Sequence, residues 1–111
     1  VLLSLNGRTG LDIERISDKV ERIKHKFLTE QEIEDANYND VRKLSLYWGA
    51  KEALYKLHGN EEVSLRESLL IKPFDLNNIG KIYGTIINGH KPEEHIIHYF
   101  FFANYVTVWT D

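Results

Sequence analysis

One change of period divides this chain. From Ile16 to His58 apolar side chains recur three and four residues apart, whereas from Ser68 to Thr110 they alternate or cluster with β-branched and aromatic neighbours. The first spacing builds helices and the second builds strands. Ser17 is placed to cap a helix reaching to about Lys26, with Ile16, Val20, Ile23 and Phe27 as its apolar stripe. Thr29-Glu30-Gln31-Glu32 has the form of a capping box and opens a second, short helix. Asn37 to Asp40 is polar and predicts a loop. Val41 to His58 predicts a third helix, which Gly59 is placed to end.

The strand signals lie on both sides of these helices. Val1 to Leu5 is a short apolar run, Asn6-Gly7 is a turn dipeptide, and a strand resumes at Thr9 to Glu14. Its alternation puts Leu11 and Ile13 on one face and Asp12 and Glu14 on the other. Ser68 to Phe74, Lys81 to Ile87 and His95 to Thr110 read as later strands, the last dividing near Asn104, with Asn77-Asn78 and Asn88-Gly89 as turns. Early helices and late antiparallel strands predict an α+β domain, an antiparallel sheet packed with helices.

At 111 residues the chain suits a single domain over 1–111, and 42% apolar with 12% aromatic residues is enough to fill a core. No apolar run approaches the roughly 20 residues of a membrane helix. The longest, around Tyr99 to Ala103, is expected to be core. A net charge of −3 leaves no nucleic-acid footprint, so an anionic ligand would be met by locally placed lysines. The chain has no cysteine, which removes disulfides and thiolate metal sites. The cytoplasm is the expected compartment. With no Met and a strand-like start, the chain reads as a fragment, or as one whose modified Met positions were left out.

Three carboxylates stand out. Asp12 and Glu14 project from one face of a strand, and Glu52 lies on the third helix; if that helix packs on the strand, all three converge on one cation. Mg²⁺ suits such a site, because it takes hard oxygen ligands and leaves positions to water and phosphate. The plain alternative for Asp12 and Glu14 is the solvated face of an amphipathic strand. Trp48, Glu52 and Lys56 form one stripe at i, i+4 and i+8, and Lys51 precedes Glu52. Here the plain alternative is an ordinary Glu–Lys helical pair with Trp48 as core.

Read together, these segments resemble the 4′-phosphopantetheinyl transferase superfamily. Gly10-Leu11-Asp12-Ile13-Glu14, Phe27-Leu28-Thr29-Glu30-Gln31-Glu32 and Trp48-Gly49-Ala50-Lys51-Glu52-Ala53-Leu54-Tyr55-Lys56 resemble its three motifs, in the family's order. Glu14 and the step from Asp12 to Glu52 look like the surfactin-synthetase-activating type. The resemblance implies a transferase that moves the 4′-phosphopantetheine arm of coenzyme A to a serine of an apo acyl or peptidyl carrier protein. Such proteins serve fatty acid, polyketide or nonribosomal peptide synthesis. It implies that Asp12, Glu14 and Glu52 hold Mg²⁺ (or Mn²⁺), that Lys51 and Lys56 meet the coenzyme's phosphates, and that Glu52 deprotonates the serine.

Two departures accompany it. The family's Ser-His element is missing, as is a similar N-terminal half, so pairing with such a half or with another copy is expected. Gly49-Ala50 also stands where Ser or Thr is more usual. The rival reading is a non-catalytic remnant that keeps the fold and binds a partner without turnover; a third is an unrelated domain with no metal site. Basic residues Arg15, Lys19, Arg22, Lys24 and Lys26 crowd the first helix and suit an acidic carrier-protein helix, or form a mixed solvated face. His95 and His98 point to opposite faces of a strand and so do not share a metal, while His25, His58 and His90 are expected at the surface.

Overall fold

The computed structural model describes residues 10–59, 63–89 and 91–110. The expected strand at Val1 to Leu5, the Asn6-Gly7 turn, Thr9 and His90 lie outside the described residues. The elements run β1 (Leu11–Arg15), α1 (Lys19–Phe27), α2 (Glu30–Asp35), α3 (Val41–His58), β2 (Leu69–Ile71), β3 (Ile79–Asn88), β4 (Lys91–Phe102) and β5 (Tyr105–Thr110). The five strands form one antiparallel sheet in the order β1-β5-β4-β3-β2. The late strands therefore make a meander, and β1, which precedes the helices, returns to pair with the last strand. The α+β expectation holds. Among the described residues no helix is long and apolar enough to cross a membrane.

Helix boundaries follow local chemistry. Thr29 and Glu32 close the expected capping box at α2: the Glu32 amide donates to Thr29 Oγ1 at 3.2 Å, and the Thr29 amide donates to Glu32 Oε1 at 2.9 Å. Asp40 caps α3 by accepting from the Lys43 amide, and Gly59 ends it in the left-handed region at φ 74°. Ser17 behaves differently from expectation. Its hydroxyl accepts from the Lys19 amide within a turn, and α1 starts after Asp18 without a side-chain cap.

The sheet has a packed face and an open one. Ile82, Ile86, Ile97, Tyr99, Val106 and Val108 point inward against α3, where Leu46, Tyr47, Ala50, Ala53 and Leu54 are fully buried. Alternation along β4 splits the Tyr99 to Phe102 run that was expected to be core: Tyr99 is buried, but Phe100 and Phe102 face out. The outer face carries neighbouring apolar pairs across strands, Ile79 with Phe100, Tyr83 with Ile96 and Phe102 with Tyr105, all exposed. His98 stacks on Trp109 on this side, while His95 reaches Glu93, so the two histidines do lie on opposite faces. His58, expected at the surface, is half-buried at the end of α3.

Two carboxylates of α2 hold the free edge of β2. Glu32 accepts from the Ile71 amide at 2.9 Å through Oε2, and Asp35 accepts from the Phe74 amide at 3.3 Å. Glu32 Oε1 also meets Lys51 Nζ at 2.7 Å; this lysine is fully buried and donates to the Leu65 and Arg66 carbonyls as well. Asp35 likewise accepts from Tyr47 Oη at 2.6 Å and pairs with Lys43. An edge strand whose amides end on fixed carboxylates offers little to a foreign strand. Removing one member of a buried ion pair strands the other, so Glu32→Ala is expected to lower unfolding free energy by about 3–5 kcal/mol in a urea titration. A loss below about 1 kcal/mol would show that Lys51 finds solvent or another partner.

Candidate active site

β1 is inverted relative to the plain expectation for an amphipathic edge strand. Ile13 is 61% exposed on the outer face, while Asp12 is 6% exposed on the inner face. The register explains why: Asp12 and Glu14 sit opposite Val108 and Val106 of β5, both fully buried on the inner face. The two acids therefore face α3, and the reading of them as a solvated stripe is corrected. Gly10 makes the close approach at this corner. A Cβ there would lie 2.0 Å from the Ala53 carbonyl oxygen of α3, while the Gly10 amide donates to Thr110 Oγ1.

α3 brings the remaining groups. Lys56 Nζ lies 2.9 Å from Asp12 Oδ1 and also donates to the Leu11 carbonyl at 3.1 Å. The other Asp12 oxygen, Oδ2, is buried with no hydrogen-bond partner among the described residues while Glu14 is ionised; once protonated, Glu14 bonds to Asp12. Burial, and then a hydrogen bond to Asp12 and its charge, push the Glu14 carboxyl up to about 8; the Trp48 side chain, bonded to Glu14, opposes the rise, and the charge of Glu52 adds a smaller push in the same direction. Glu52 is likewise raised, by burial and then by Asp12, against the opposing charge of Lys56. Lys56 is raised in turn by its bond to Asp12. Asp12, Glu14 and Glu52 thus repel one another in one field that a single lysine only partly neutralises.

That pattern fits a hard cation. An oxygen buried without a donor is costly unless a metal or water supplies its partner. Among the described residues, no three carboxylates or imidazoles stand so as to enclose a metal ion by themselves. Mg²⁺ seldom needs such a cage, since it is usually held by one or two carboxylates with substrate phosphates and water completing its octahedron.

Other expected residues fall elsewhere. Lys51, expected at a phosphate, is turned from the carboxylates and spent on Glu32 and two carbonyls; burial lowers its pKa while Glu32 opposes the shift. Arg15 ends β1 and is not on the first helix. Lys24 is committed to the Tyr38 carbonyl and Asn39, which leaves Lys19, Arg22 and Lys26 exposed on α1. Trp48 packs edge-on against Phe27 at 4.9 Å between ring centres, which joins the end of α1 to the site. Sequence reasoning missed Glu32 as a partner of Lys51, because a capping box discloses only its own backbone bonds. A cleft of about 630 Å³ lies between α2 and β2, lined by Gln31, Glu34, Tyr47 and Pro73 among others, but by none of Asp12, Glu14, Glu52 and Lys56.

A family model, described as the 4'-phosphopantetheinyl transferase superfamily, matches residues 8–108. No curated protein matches the chain.

The raised Glu14 predicts a pH signature of the cation-free protein. The fold keeps this carboxyl protonated to about pH 8, whereas in the unfolded chain it ionises near 4.5. Over that window the folded state binds more protons, so stability falls as pH rises. Calorimetry in chelator should show the melting temperature declining between those limits, with a shallower decline in Glu14→Gln. A melting temperature that rises through the window would contradict the assignment.

Proposed function

The chain belongs to the 4'-phosphopantetheinyl transferase superfamily, and from that premise we propose that it moves the 4′-phosphopantetheine arm of coenzyme A to a serine of an apo acyl or peptidyl carrier protein, with Mg²⁺ or Mn²⁺. The observation that carries this reading is the inward turn of the buried Asp12 and of Glu14 toward α3, where Lys56 meets Asp12 and the Glu14 and Glu52 carboxyls are both raised. Glu14 supports the surfactin-synthetase-activating type.

In this reading Asp12, Glu14 and Glu52 would hold the cation together with water and substrate oxygens, and it would supply neutralisation of charge on the pyrophosphate oxygens. The serine oxygen bonds to the phosphorus bearing the pantetheine arm. The bond from that phosphorus to the bridging oxygen breaks, and adenosine 3′,5′-bisphosphate leaves. Glu52 takes the serine proton, directly or through a water, and its raised pKa makes it a better base near neutral pH than an ordinary carboxylate. Lys56, half-exposed, reaches from Asp12 toward a bound phosphate. Lys51 supports α3 from behind by anchoring it to α2. Lys19, Arg22 and Lys26 on α1 steer an acidic carrier helix toward the site. The apolar outer face of the sheet supports pairing with another copy or a similar half.

Intact-mass spectrometry of an apo carrier protein incubated with this chain, coenzyme A and Mg²⁺ tests the reading. The expected outcome is a phosphopantetheine mass gain that vanishes with chelator and slows by about 10²–10⁴ in Glu52→Gln. Transfer that is indifferent to both chelator and Glu52→Gln would sink the assigned site. No transfer to any carrier protein, together with carrier binding, would favour a non-catalytic remnant.

A further inference from the structure

We propose that Gly49 is a positioning residue for the carboxylate cluster, matched to the bulk of Val108, and that together they set how closely α3 lies on the sheet at the site. The inference rests on the reading of Asp12, Glu14 and Glu52 as cation ligands. A glycine inside a helix costs about 1 kcal/mol relative to alanine, so its presence needs a reason. Conformation is not the reason, because the glycines with positive φ among the described residues are Gly59 and Gly89, and Gly49 sits within a regular α3. Space is the reason. A Cβ at Gly49 would lie 2.7 Å from Val108 Cγ2, and 3.7 Å from both Asp12 Oδ2 and Glu14 Cγ.

Gly49 therefore faces the gap between α3 and the two strands that carry the acids. Val108 is fully buried on β5, directly opposite Asp12 in the register. A close-packed interior gives such a side chain little room to retreat. A methyl group at position 49 would lift α3 from the sheet by some tenths of an ångström. Glu52, one turn along the helix, and Trp48, adjacent to Gly49, would withdraw from Asp12 and Glu14 with it. An octahedral Mg²⁺ or Mn²⁺ site tolerates little such displacement. In this chain a glycine on the helix and a valine on the strand stand as a complementary pair.

The test measures Mn²⁺ affinity by electron paramagnetic resonance, with and without coenzyme A, in the wild type, Gly49→Ala, Val108→Ala and the double variant. Circular dichroism and urea midpoints are recorded for each. Gly49→Ala should remain folded and bind Mn²⁺ about 10- to 100-fold more weakly, the loss typical when groups that orient metal ligands are disturbed. Val108→Ala alone gives the reference affinity for a site with that contact removed, and the double variant should bind Mn²⁺ at least several-fold more tightly than Gly49→Ala, because the valine methyl that forces α3 outward is gone. If Gly49→Ala alone fails to fold, recovery of both fold and Mn²⁺ binding in the double variant carries the same information. Unchanged affinity in Gly49→Ala, or a double variant that folds but binds no better than the single, overturns the inference while leaving the cation site intact. Absence of Mn²⁺ binding in the wild type overturns the site reading and the inference with it.

Discussion

The Glu32 carboxylate is bonded to three separate parts of the chain. Its Oε1 accepts from the Thr29 amide, which starts α2, and from Lys51, which lies in the middle of α3; its Oε2 accepts from the Ile71 amide of β2. A carboxylate has enough lone pairs for all three, and at 4% exposure it has little competing water. Breaking the bond to Ile71 strands a buried amide, and breaking the bond to Lys51 leaves its buried charge with only the Leu65 and Arg66 carbonyls. α3 is in this way pinned to α2 and to the far edge of the sheet, with Arg66 adding a bond to the Leu28 carbonyl from the following loop. The rotation of α3 about its own axis follows from that anchor.

Rotation matters because Lys51 and Glu52 are sequence neighbours with opposite surroundings. Adjacent helical residues lie about 100° apart around the axis. With Lys51 directed to Glu32, Glu52 comes round toward β1, and Lys56 follows it one turn later to reach Asp12. The structural lysine and the site-facing lysine of the motif are thus separated by geometry rather than by chemistry. Close approach completes the arrangement: Gly10 on the strand leaves room for the Ala53 carbonyl, and Gly49 on the helix leaves room for Val108. The acids are held near one another at an electrostatic cost, visible in the raised Glu14 and Glu52, and a divalent cation would offset it.

Much of the local structure was legible in the sequence because it depends on neighbours in the chain. The capping box at Thr29 and Glu32, the α3 run with its terminating glycine, and the division of the last strand near Asn104 all follow from short-range hydrogen bonding and period. Expectation failed where burial or pairing came from distant residues. The strand at Ser68 to Phe74 shrinks to Leu69–Ile71, since the bonds to β3 end at Ser68 and Lys72 and the Phe74 amide turns to Asp35. The aromatic run from Tyr99 to Phe102 divides between two faces because sheet alternation overrides its uniform hydrophobicity.

The sequence by itself determined the order of elements, the motifs that carry the family resemblance, and the fact that Asp12 and Glu14 share one face of a strand. Those properties depend on backbone period and on side chains a few residues apart. Which face that would be was decided only in three dimensions. Pattern alone favours burying Leu11 and Ile13, yet pairing with β5 puts Asp12 opposite Val108 and turns the acids to α3. The partners of Lys51 and Lys56 were equally out of reach, for each lies 14 or more residues away along the chain. Only packing brings such distant groups within hydrogen-bond range, and burial then fixes the charge each of them can carry.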